Sequence, residues 1–335
     1  MIELNADQLI FRFPEVHPEA VCRVNFQRTL RIPDDNRAYA LPPGLGRFPV
    51  QHVEDHAEAL PTEYLKRGGV MLPMYQAEAM WISFAGAGDY PFLLKIAAGK
   101  INAVTGEPWA DAVSANPQDY VVVPDQPWLD GFCIQKGLIR QFVAMPLGAG
   151  YTAEEQLTGA AEFGGLQIIA YPMKRERYEA IKAQRESRVA RSMSLDAFMC
   201  EEDAMPASMG LAPGGLMKQE IHQDPYGIDA WDLANSSRCF VHLLNSQDWQ
   251  QVTGTQPPGE APTAWDYTAA GLPWFDYYAE GKDALEGAGP LAGLDSVAAK
   301  GIKQGETPLP DNDPVTPSHV IKLGTGKPPV SEGDW

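Results

Sequence analysis

Cysteine is scarce in this chain. Cys22, Cys133, Cys200 and Cys239 are its only four, and no two of them form a C-x-x-C pair. At 335 residues a disulfide framework is not required, so reduced, buried thiols are expected. Positive charge is also short: 26 Lys and Arg face 44 Asp and Glu, leaving a net charge of −18. That balance argues against nucleic acid, whose binding depends on neutralising phosphates, and against adsorption to anionic lipid. Long apolar runs are absent. Leu166–Tyr171, broken by Gln167, falls far short of the roughly 20 residues needed to cross a bilayer. Met1–Asp7 carries acids and no basic, apolar leader, so no secretory signal is expected. A soluble, cytoplasmic protein without membrane or nucleic-acid partners is the expectation.

The common catalytic signatures are missing too. Gly99-Lys100 is followed by Ile101 and lacks the upstream glycine of a phosphate-binding loop. Gly148-Ala149-Gly150 runs into Tyr151-Thr152-Ala153, which breaks a dinucleotide fingerprint. There is no G-x-S-x-G elbow and no kinase set.

What is abundant is punctuation. Thirty-one Gly and 29 Pro suit many short strands better than long helices. Alternating or apolar runs at 9–13, 21–26, 92–97, 120–123, 137–143, 166–171 and 238–244 read as strands. The segment 75–84 fits a helix face or a buried strand. Thr152 with Glu155 three residues on reads as a capping box. Asn245-Ser246 opens a short helix ending by Gly254, and 291–300 reads as another stopped by Gly301. Met205–Met217, rich in Gly and Pro, reads as a loop. The single long helix signal is Met173–Met193, with seven basic and three acidic residues. The fold expected is therefore mainly β (α+β): a sandwich or barrel-like core with one long basic helix, short helices and an extended C-terminal arm. A globular unit over 1–300, with a sub-boundary near 172–210, would precede an arm over 301–335 that Trp335 could anchor.

Three constellations could carry function. Pro-Trp-X-Asp recurs as Trp109/Asp111, Trp128/Asp130 and Trp274/Asp276. In an extended tetrapeptide the indole and the carboxylate share a face, a pairing that can hold a sugar or a cation. The bland alternative is a core Trp beside a turn-closing Asp. Glu220, His222 and Asp224 alternate, so an extended segment would aim all three one way, toward a metal or a general base. Asp229 and Asp232 would add oxygen ligands for a hard cation. The alternative is a loop of turn-forming Asp around Pro225-Tyr226-Gly227. His52 and His56 share a face in a helix but lie about 13 Å apart in a strand. A divalent metal ion is the one cofactor these residues suggest.

The blocks Tyr120–Gly131, Arg140–Gly159 and Arg238–Ser246 together resemble a family of uncharacterised conserved proteins, some labelled "integral membrane". That resemblance implies no activity or site, and the label conflicts with the lack of any spanning run. Charge is unevenly spread: 223–335 holds 16 acidic and 6 basic residues, a balance of −10, against +4 in the 173–193 helix. Opposite patches can pair copies of one chain or recruit another protein. A non-catalytic interaction or self-assembly protein is thus the leading expectation. The alternatives are a metal- or carboxylate-dependent enzyme around His222 and Asp224, and glycan binding through the Trp-Asp pairs.

Overall fold

The computed structural model describes residues 1–84, 90–189, 208–278, 282–307 and 309–324. Its framework is one large, mostly antiparallel sheet with a few short helices on its rim. From one end the strands run Ile2–Asn5, Gln8–Arg12, Val21–Thr29, Ala79–Ser83, Leu138–Pro146 and Ser208–Met217. The path continues through Ser237–Asn245, Leu166–Pro172, Phe92–Ala98 and Val121–Val123. Val70–Met74 joins Ser237–Asn245 in parallel, with Val241 opposite Val70. The two ends of the path meet around a shared core: Phe13 packs on Phe92 at 5.8 Å, and Leu9, Phe11, Phe92 and Val121 belong to one buried cluster. The alternating runs of the sequence produce this curvature because each strand turns its apolar face to the same interior.

Two local expectations change, and one open alternative is decided in favour of the strand. Segment 208–217 is a strand, although its glycines read as a loop. Those glycines serve close approach: a Cβ on Gly214 would sit 2.5 Å from Val143 Cγ2, and one on Gly215 2.6 Å from the Pro33 carbonyl. The expected 291–300 helix is two pieces, Gly289–Ala292 and Val297–Gln304. Ser296 restarts the chain by accepting from the Ala299 N–H, and the helix runs through Gly301 to stop at Gly305. The ambiguous 75–84 segment becomes a turn followed by the Ala79–Ser83 strand.

The helix starts stand as read. Thr152 and Glu155 form a reciprocal capping box on Ala153–Thr158. Asn245 caps Ser246–Thr253, and Gly254 ends it in the left-handed region. The basic helix spans Arg175–Val189, beyond which 190–207 lies outside the described residues. Of the expected C-terminal arm, Val320–Gly324 is a strand parallel to Trp274–Tyr278, and Val315 is buried. Trp335 lies outside the described residues, as does Cys200, while Cys22, Cys133 and Cys239 are free and buried. Among the described residues no helix is long and apolar enough to cross a membrane.

Candidate functional site

Two hollows of nearly equal size bracket the chemistry of this molecule. The first, about 610 Å³, holds Asp224 on its wall. Asp224 Oδ2 accepts from the Tyr120 hydroxyl at 2.8 Å and the Trp231 indole N–H at 2.9 Å. Oδ1 accepts the Tyr226 and Gly227 amides at 2.8 and 3.2 Å. Each oxygen therefore carries two hydrogen bonds, close to what a carboxylate can accept. Burial, then the Asp224 carboxylate, pushes the Tyr120 phenol up. The carboxylate ties a loop to the sheet and leaves little for a substrate.

His222 is buried, and neither ring nitrogen has a hydrogen-bond partner among the described residues. Burial first, and then the Lys282 charge, hold its imidazole below the ordinary range, which keeps it neutral. The expected grouping of Glu220, His222 and Asp224 is not made: the imidazole bonds to neither carboxylate, and what Glu220 contributes is its backbone carbonyl, to Gln126 Nε2. The Asp232 carboxylate closes its own turn with Ala234 and Asn235. His56 is held between the Val252 carbonyl and Gln51 Oε1, while His52 is exposed on the Gln51–His52 strand. Among the described residues no three His, Cys, Asp or Glu side chains are placed to hold a metal ion.

The Trp-Asp pairs diverge. Trp109 Nε1 donates to Asp111 Oδ1 at 3.0 Å, so this pair does share a face. Lys95 and Arg238 lie over its ring at 5.2 and 5.9 Å from the centroid. Trp128 is half-buried, edge-on to Tyr277 at 4.7 Å and to Trp81 at 6.3 Å. Its partner Asp130 is buried and accepts from Gln219 Nε2 at 2.6 Å. Burial pushes the Asp130 carboxyl up to about 7, against hydrogen bonds from Trp128 and Gln219. Trp274 is fully buried in a second core cluster, and Asp276 is half-buried on the same strand. The three indoles therefore do not form an equivalent set of stacking platforms.

The second hollow, about 660 Å³, was not singled out by any sequence motif. Its lining includes Glu78, the ion-pair partner of the buried Arg28. Glu78 immediately precedes the Ala79–Ser83 strand, and Arg28 is the next-to-last residue of the neighbouring Val21–Thr29 strand, opposite Met80. Arg28 Nε and Nη2 reach Glu78 Oε1 at 2.8 and 2.7 Å, and Nη2 also donates to the Gly259 carbonyl. Glu78 Oε2 accepts the Tyr75 amide at 2.9 Å, while the Glu78 amide donates back to the Tyr75 carbonyl. Burial pushes the Glu78 carboxyl up, with Arg28 and the Tyr75 amide pulling against it. The turn so closed places Ala77 at φ +64°, a left-handed conformation that favours glycine and is costly for alanine.

On the same lining, Arg31 pairs with Asp311 in a bidentate contact through Nε and Nη2, with Nε to Oδ2 at 2.9 Å. Glu260 stands exposed at the rim and has no hydrogen-bond or ion-pair partner among the described residues. Its charge helps to raise the Tyr75 phenol, behind burial and Glu78. The cleft thus joins strand ends, a helix start at Asn245–Gln247 and two loops. The sequence signal that could have exposed it is the lone Glu78 inside the apolar-patterned 75–84 segment, where a buried acid demands a partner.

No family model, curated protein or solved structure matches this chain.

Proposed function

We propose that this protein is a non-catalytic binding protein that holds a polar small molecule in the cleft lined by Glu78, Arg31 and Asp311, where Glu78 is paired with the buried Arg28. The supporting observation is the buried ion pair itself. Burying two charges costs several kcal/mol per ion before their attraction returns it, so a pair beneath an open hollow needs a reason. It presents a rigid, preorganised polar base, and the left-handed Ala77 beside it is strain of the kind that gathers at ligand clamps. Both Glu78 oxygens are already engaged, which suits holding a ligand better than moving a proton.

A thermal-shift screen of metabolites tests this reading. Ligands should raise the melting temperature of the wild-type protein and not that of Ala261→Trp, whose indole would fill the cleft. They should also be recovered chemically unchanged. A ligand consumed during incubation, or one insensitive to Ala261→Trp, contradicts it.

Self-assembly through opposite charges is the other reading, and it rests on the basic helix. Part of that charge is already engaged: Lys182 pairs with Glu19, and Arg175 Nε donates to the Val16 carbonyl. Light scattering at low and high salt tests it, and a monomer under both conditions removes it.

A further inference from the structure

We propose that the cleft selects an amphipathic cation, a primary alkylammonium whose head sits among the cleft carboxylates and whose tail enters an adjoining annex; this rests on the binding reading above. The annex, about 210 Å³, shares Gln76, Ala77 and Leu309 with the cleft, so the two hollows meet along a common wall. Met145, Val297, Ile302 and Leu309 supply its apolar lining. Ile302 and Leu309 are 60% and 45% exposed, so large apolar side chains wait at its mouth uncovered by the molecule's own chain. The volume has room for about seven groups of water or methylene size.

Charge decides the head group. Glu78, Glu260, Asp311 and Glu306 line the two compartments against Arg31 alone, a balance of −3. Arg31 is already engaged by Asp311, and Arg28, outside the lining, by Glu78. An entering anion would have to break one of these pairs. An entering ammonium instead meets Glu260, which has no partner among the described residues, and brings three donors to acceptors in place. The chain's −18 charge draws cations to this surface from a distance.

Calorimetric titration with n-hexylammonium, 1-hexanol, hexanoate and the butyl to hexyl ammonium series tests the inference. Hexylammonium should saturate one site at least about tenfold more tightly than hexanol or hexanoate. Each added methylene should strengthen binding roughly fourfold. Glu260→Gln should weaken the ammonium about tenfold without changing the hexanol affinity, and Ile302→Ser should flatten the chain-length series. Equal affinity for hexanoate, or indifference to Glu260→Gln, overturns the inference. If hexylammonium fails while another ligand still responds to Ala261→Trp, the cleft remains a binding site and only the amphipathic cation is wrong. If nothing responds to Ala261→Trp, both fall.

Discussion

The Asp224 hollow and the Glu78 cleft differ little in volume, about 610 against 660 Å³, and greatly in how their polar groups are used. Asp224 accepts four hydrogen bonds from its own chain, and the nearby unsatisfied group is the neutral His222 ring. In the cleft the buried charges cancel pairwise and a carboxylate, Glu260, is left over at the rim. Cavity size therefore says less about function than the inventory of groups not yet satisfied. One hollow is the space left around a hydrogen-bonded loop, and the other is a polar base with a charge to offer.

The harshest way to break this contrast is to remove one member of the Arg28–Glu78 pair. Glu78→Ala should cost about 3–5 kcal/mol in urea unfolding, because Arg28 is left buried and unpaired. Replacing both, as Arg28→Met with Glu78→Leu, should recover most of that loss. A cost below about 1 kcal/mol for the single change would contradict a buried Arg28–Glu78 pair.

The second test addresses the buried Asp130, which accepts from Gln219. An ordinary Asp titrates near 3.9 when unfolded, and here the folded value is about 7. The folded state therefore holds its proton more tightly, and stability falls as pH rises between these values. The contribution is fully present below about pH 4, and a loss on the order of 4 kcal/mol is complete above about pH 7. Asp130→Asn should flatten that fall, giving a variant more stable than wild type at pH 8 and unchanged at pH 4. Parallel pH profiles for the two proteins would contradict the burial of this carboxyl.

Asp224→Ala should cost about 2–3 kcal/mol by orphaning the Tyr120 hydroxyl and the Trp231 indole, and should leave ligand affinity at the cleft intact. Altered affinity there would merge the two hollows into one functional unit. The smallest stability effect belongs to Glu260→Gln, within about 0.5 kcal/mol, since this carboxylate is exposed. A larger loss in unfolding experiments would mean that Glu260 is structural after all.

Much of the sheet was legible because its strands obey local rules. Leu166–Pro172 and Ser237–Asn245 are apolar runs ended by turn residues, and Thr152 with Glu155 spells out a helix start. The 208–217 strand was not legible, since its glycines answer to Val143 and Pro33, far away in sequence. The same reason hid the cleft. Arg28 and Glu78 are 50 residues apart, and Asp311 reaches Arg31 across 280, so no spacing motif could announce them. The Glu220, His222 and Asp224 alternation was visible, but alternation could not report that Tyr120 and Trp231 would claim the Asp224 carboxylate.

Alanine methyls allow the contrast to be read directly, because both hollows carry them. Ala77, Ala79 and Ala261 line the cleft, Ala298 lines its annex, and Ala115 and Ala288 line the Asp224 hollow. Methyl NMR of alanine-labelled protein titrated with n-hexylammonium should move the first four signals and leave Ala115 and Ala288 in place. Saturable shifts confined to Ala115 and Ala288 would put the ligand in the wrong hollow and contradict the account.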